Sequence, residues 1–176
     1  AARCVSQLVL LDSDFSSMPL AVQEGRRCIN NIQRSAALFL VKTIFSFLLA
    51  FMFMFAASAY PFQPIQLTLI SALFIGAPSF LLALEPNHDR VQGSFTANVM
   101  KRALPGGLTV VLGIGALLVL QNVFSIPQDR LSVMAVFNTA AVCFGVLIGV
   151  CRPFRKWHTA MIAAVAAAFC AASWLF

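Results

Sequence analysis

The chain has 176 residues, 60% of them hydrophobic and 10% charged. A soluble domain is about 45–50% apolar and about 25% charged, so this balance excludes a freely soluble enzyme. It also excludes intrinsic disorder, which needs low hydrophobicity and high charge. Twelve Lys and Arg against six Asp and Glu give a net charge of +6. These cations sit at the edges of apolar blocks, as membrane topology requires, and not in a patch interleaved with stacking aromatics, so nucleic acid is not an expected partner.

Residues Ser6–Asp12 form a short Leu/Val run closed by Asp12, Ser13 and Asp14, the pattern of a buried strand. Its ladder partners are not in this sequence. The chain opens without a methionine and Ala1-Ala2-Arg3 does not read as a signal peptide, so a piece of a longer protein is expected. Ser16, Ser17 and Pro19 then signal a helix start. The segment 19–35 continues straight into apolar sequence and is expected to form a stalk helix at the membrane surface.

From Thr43 to Leu84 there is no charged residue in 42 positions. A single spanning helix needs about 20 residues, so this stretch predicts two, with the turn at Pro61 and Pro64. The expected spans are 36–59, 66–84, 104–124, 131–151 and 157–176. The expected fold is therefore an all-α bundle of five transmembrane helices behind a strand–helix remnant (1–18) of a soluble α/β domain. On a five-span zigzag eleven cations fall on one side and only Arg130 on the other. The positive-inside rule makes the first side, with the N-terminus, cytoplasmic.

Small residues recur at Gly145 and Gly149 in the fourth span and at Ala160, Ala164, Ala168 and Ala172 in the fifth. Such stripes let helix backbones approach closely, and packing within the bundle is the expected use. In the second span, Gly76 and Pro78 interrupt an apolar helix. Proline removes a backbone donor and opens the ladder near the midplane. Freed carbonyls of this kind serve as ion ligands in transporters, and an ordinary packing kink fits the same residues. Nearby oxygen donors are Thr68, Ser71 and Ser79. The first span carries Lys42, Thr43 and Ser46, with Lys42 close enough to the interface to snorkel. Phe45, Phe47, Phe51, Phe53 and Phe55 read as lipid-facing or packing residues. Hard cations favour carboxylates, and none lies deep in a span; Glu85, followed by Pro86, reads as a helix terminus. Asn122 and Asn138 read as interhelical hydrogen-bonding residues. His88 and His158 are expected in loops, in no metal-ligand spacing. The five cysteines show no paired spacing for zinc or a disulfide framework.

The run SQLVLLDSDFSSMPLAVQEGRRCINNIQRSAALFLVKT resembles the junction in P-type ATPases between the phosphorylation domain and the fifth transmembrane helix. Asp14-Phe15, Glu24-Gly25-Arg26 and Asn30-Asn31 follow the family order. PIQLTLISALFIGAPSFLLALEPN resembles the sixth helix of that family, with Gly76, Pro78 and Glu85-Pro86 in place. The resemblance is greatest to the bacterial cation-transporting ATPase E group. It implies the C-terminal part of an ATP-driven cation pump in the bacterial plasma membrane, with helices five to nine present and calcium or another divalent cation as cargo. ATP and Mg would bind in the missing N-terminal part of the pump, and the chain alone is expected neither to hydrolyse ATP nor to transport. Two-ligand positions of the sixth helix in calcium pumps fall here on Ser71 and Ile75. The implied cation pathway is Thr43, Ser46, Ser71, Gly76, Pro78 and Ser79, and the implied stalk coupling residues are Glu24, Gly25, Arg26 and Asn30. The lipid bilayer and the missing part of the pump are the implied partners. A small non-enzymatic membrane scaffold or transporter subunit is the alternative.

Overall fold

A computed structural model describes residues 6–7, 9, 14–55, 59–91, 93–152, 154 and 156–175. The expected strand at Ser6–Asp12 lies mostly outside the described residues, and no strand occurs among those described. Asp14 opens the ordered chain as a cap: its carboxylate accepts from the Ser16 amide at 2.9 Å and from the Ser16 hydroxyl at 2.6 Å. A single 3-10 turn, Phe15–Ser17, leads into helix α1, Met18–Phe55. Pro19 stands in its first turn, where a missing N–H costs no ladder bond.

Helix α1 has 38 residues without a break, so the stalk and the first span are one rod about 57 Å long. Its buried face, Ala37, Leu38, Val41, Phe45 and Leu49, follows the three- and four-residue spacing of one helix side. Phe45 is the buried member of the phenylalanine group, whereas Phe47, Phe51 and Phe55 are exposed. Phe53 stacks edge-on against Tyr60 at a centroid distance of 5.3 Å, which fixes the turn into α2.

Helix α2, Pro64–Ala83, begins with its proline in the first position. The Gln66 side chain accepts from the Gln63 amide at 3.0 Å, satisfying one orphan donor of the first turn. Helices α3 (Phe95–Phe124), α4 (Gln128–Val150) and α5 (Lys156–Leu175) follow. All five are long and apolar enough to cross a membrane, so the chain is an all-α, polytopic membrane bundle. α3 begins nine residues before the expected 104, because Lys101 and Arg102 lie inside the helix and not in a loop. It ends on Ser125 in the left-handed region, φ 50°. Gln128 at the start of α4 donates to Ala59 O at 3.3 Å, which places the α1–α2 and α3–α4 turns at the same end of the bundle.

Small residues do let helices meet closely, but not where the sequence pattern suggested. A Cβ on Gly106 would fall 2.5 Å from Val146 Cγ2, and one on Gly107 would fall 2.5 Å from Ile44 Cγ2. α3 is thus wedged against α1 and α4 through this Gly-Gly pair. A Cβ on Gly113 would meet the Asn138 amide at 2.5 Å. Gly145 and Gly149 meet nothing within 4 Å, and Ala160 and Ala164 are exposed. The α4 stripe and the first half of the α5 stripe thus face outward, while Ala168 and Ala172 are half-buried. α5 buries Met161 and Val165 and makes aromatic contacts: Phe169 lies 5.4 Å from Phe74 and 5.6 Å from Phe137, ring centroid to centroid.

Candidate functional site

Two features of α2 organise the site. The first is a π-helical stretch, Ser71–Gly76, at its middle. Its cause is Pro78. A proline has no N–H, and its ring would strike the carbonyl four residues earlier. Widening the preceding turn to i→i+5 bonding relieves that clash, and the Ala77 amide accordingly donates to Ala72 O. Leu73 and Phe74, a turn before Pro78, then share one donor fewer than an unbroken ladder supplies. Gly76 tops this turn, and a Cβ there would meet Ser71 O at an ordinary 3.5 Å.

α1 packs against both the π stretch and the segment after it. Within this contact Ser35 donates to Ser79 O at 3.2 Å. The Ser79 hydroxyl is buried and has no partner. Ser71, half-buried, returns its hydroxyl to Leu67 O at 2.6 Å, and Ser46 is half-buried on α1. Thr43 and Gly76 lie on exposed faces, Thr43 donating to Phe39 O at 3.2 Å. Pro78 and Ser79 are therefore enclosed by this chain, while Thr43 and Gly76 look out of it. Among the described residues no group of three or more His, Cys, Asp or Glu could hold a metal ion. Asn138 is half-buried against Gly113, and its Nδ2 finds no acceptor. Asn122 is exposed.

The second feature is the end of α2. The last four carbonyls of a helix need donors from elsewhere; the Leu84 and Glu85 amides turn back to Leu81 O and Leu82 O, and α1 supplies donors for Ala83 and the residues just after it. Asn31 Nδ2 donates to Ala83 O at 3.0 Å and to Glu85 O at 2.7 Å. Arg27 reaches Leu84 O at 3.4 Å. Asn30 holds Asp89 O at 2.8 Å, and His88 Nδ1 donates to Gln23 O at 3.1 Å. The loop after α2 is thereby strapped along the stalk.

Below the strap Glu85 Oε2 accepts from both Arg34 Nη1 at 2.6 Å and His158 Nε2 at 2.8 Å. All three residues are buried. A charge withdrawn from water is stable only when paired and hydrogen-bonded, and here α1, the segment just past α2, and α5 each contribute one group. This corrects two expectations. Glu85 is the shared acceptor of a three-helix cluster and not merely a terminus. His158 is not in a loop: it is the third residue of α5, at 0% exposure. The four stalk candidates divide. Asn30 grips the loop, Glu24 pairs with Arg27 at 3.0 Å, Gly25 meets nothing within 4 Å and Arg26 is half-buried. Asn31, Arg34, Glu85 and His158 were not singled out as site residues by sequence reasoning. The signal available was the isolation of Glu85 at the far edge of an uncharged block that begins just after Arg34 and Lys42.

No protein-family model and no solved structure matches the chain. Among curated proteins it is 37% identical over 177 residues to the calcium-transporting ATPase CtpE of Mycolicibacterium smegmatis, an alignment covering 93% of this chain and 22% of the relative. It is 34% identical over 185 residues to the protein of that name in Mycobacterium bovis, covering 96% of this chain and 23% of the relative. It is 35% identical over 174 residues to the probable cation-transporting ATPase exp7 of Streptococcus pneumoniae, covering 92% and 22%. The chain thus spans less than a quarter of the length of these relatives.

Proposed function

Since the chain belongs to the P-type cation-transporting ATPases, we propose that it is the C-terminal membrane part of an ATP-driven pump for calcium or another divalent cation. The supporting observation is identity of 34–37% across more than nine-tenths of the chain with calcium- and cation-transporting ATPases. A scaffold or subunit role is not favoured, because it accounts for neither this identity nor the π-distorted helix at the bundle's centre.

In this reading residues 1–18 close the phosphorylation domain, 19–35 form the stalk, and 36–176 cross the bacterial plasma membrane with the N-terminus cytoplasmic. ATP and Mg bind in the preceding part of the pump, which supplies phosphorylation. This chain's own part is to offer oxygen ligands and to move them. The proposed ligands are Ser46, Ser71, the buried Ser79 hydroxyl and the under-donated carbonyls before Pro78, with Ser79 at the α1–α2 contact. They carry no fixed negative charge, and a hard divalent cation takes six to eight oxygens, carboxylates among them. The exposed Thr43 and Gly76 therefore face a further helix of the pump that completes the shell. Displacement of the stalk reaches this contact through Asn30, Asn31 and the Arg34–Glu85–His158 cluster, which tie the end of α2 to α1. Glu24, Gly25 and Arg26 lie on the stalk above that tie and serve as its handle to the phosphorylation domain.

The test is calcium uptake and calcium-stimulated ATP hydrolysis by the full-length protein in proteoliposomes. Ser79→Ala and Pro78→Ala are expected to weaken cation affinity about tenfold, the loss of one good ligand contact. Unchanged affinity and turnover in both variants would remove the α1–α2 contact from the pathway. Absence of uptake of any divalent cation by the wild type would remove the pump reading.

A further inference from the structure

At the same end of the bundle as the Arg34–Glu85 pair lies a cavity of about 400 Å³, roughly the lower range of small-molecule sites. It opens between α1, the loop after α2, the start of α3 and the segment after α4. Arg90, Lys101, Arg102 and Arg152 line it, and among the described residues none of the four forms an ion pair. The carboxylate facing them among the described lining residues is Asp89. Gln33 lines the same cavity at 9% exposure, and its Nε2 is buried without an acceptor. A buried donor left unpaired costs free energy, and four cations gathered from three separate segments repel one another. The four cations are exposed, so solvent screens part of that repulsion; an anion with several acceptor oxygens in the cavity reduces it further and brings an acceptor to the wall that carries Gln33.

We propose that this cavity binds a phosphate group, with Gln33, Arg90, Lys101, Arg102 and Arg152 as its donors. The occupant favoured by the position of the cavity, at the mouth of three spanning helices, is the phosphodiester of an anionic phospholipid. Basic pockets between membrane helices take such headgroups, and each Lys or Arg near the surface contributes a similar increment. Asp89 at the rim selects against headgroups with further negative charge beyond the phosphate. The site requires neither ATP hydrolysis nor cation transport, so it stands or falls separately from the pump reading.

The experiment is native mass spectrometry of the full-length protein, delipidated in detergent and offered phosphatidylglycerol, phosphatidylcholine or inorganic phosphate alone. The wild type is expected to retain phosphatidylglycerol over phosphatidylcholine. Arg90→Gln with Arg102→Gln is expected to weaken that binding about thirtyfold, two surface-cation increments. Arg130→Gln, the loss of one cation at the opposite end, is expected to leave it unchanged, and Arg102→Gln alone, the matched single loss at the cavity, is expected to weaken it about fivefold. Phosphate binding that falls in the double variant, with both lipids bound alike, keeps the site and makes its ligand an aqueous phosphate. Should the double variant lose monodispersity, Gln33→Leu decides, because it removes the buried donor with no change in charge and is expected to weaken binding severalfold. Equal affinity of the wild type and the monodisperse variant for phosphatidylglycerol and for phosphate overturns the proposal.

Discussion

Arg34 Nη1 on the first helix lies 2.6 Å from Glu85 Oε2 just past the end of the second, with both side chains buried. His158 of the fifth helix shares that same oxygen. Removing one member of a buried pair strands the other, at about 3–5 kcal/mol. Glu85→Gln is therefore expected to lower stability more than Arg34→Met, because the glutamate serves two donors and the arginine leaves His158 behind as a partner. Thermal unfolding in detergent reads both. A pair coupling near zero in the double-mutant cycle would show that the contact is not formed in solution.

The glycines divide into two groups with opposite expected responses. Gly107→Ala drives a methyl into Ile44, whose β-branch is stiff at χ1. Overpacking of this kind costs about 1–3 kcal/mol. Gly145→Ala and Gly149→Ala meet open space and should gain up to about 1 kcal/mol from helix propensity. Unfolding of the isolated variants in detergent distinguishes them. In the full-length protein a loss at Gly145 would reveal a neighbour outside this chain.

Accessibility of the thiols checks the orientation. Cys28 is exposed on the stalk, while Cys143 and Cys151 are buried. In a background with Cys4 and the likewise exposed Cys170 replaced by serine, a membrane-impermeant maleimide should modify Cys28 in inside-out vesicles and leave it unmodified in right-side-out ones. The reverse result would invert the topology that the positive-inside rule gives.

The cap at Asp14 carries a pH dependence. Hydrogen bonds from the Ser16 hydroxyl and amide hold its carboxyl below the ordinary range. A carboxylate depressed in the folded state stabilises that state above its unfolded pKa and loses the effect as pH falls. The helix start should thus fray below about pH 4. Proteolysis within 14–18 should rise there in the wild type. In Asp14→Asn that acid-dependent rise should be absent.

The five helices are legible because 20-residue apolar blocks have few alternatives in a bilayer. The break at Gly76 and Pro78 is legible for a local reason as well: proline disturbs the turn in front of it wherever it sits. The cluster at Glu85 is not. Its partners are 51 and 73 positions away in sequence, and no periodicity reports a contact of that range. The early start of α3 was hidden because Lys101 and Arg102 look like loop charges, yet helical residues at an interface keep their charged ends in water. The small-residue stripe of α4 and the first half of that in α5 misled because their spacing marks a face without saying what meets it. The bundle uses Gly106 and Gly107 instead, adjacent residues that form no stripe.

The unbroken first helix has a mechanical consequence. The strap around Asn31 and Arg34 grips it partway along and makes a natural fulcrum, with the arm from Arg34 to Phe55 about 32 Å long. A tilt of about 10° at the aqueous end would sweep the distal tip through about 5 Å, one helical turn. Residues close to the pivot, Ser35 and its partner at Ser79 among them, would barely shift. Leverage of this form lets a small angular input regrade contacts along the rod, from fixed near the grip to widely displaced at the far leaflet.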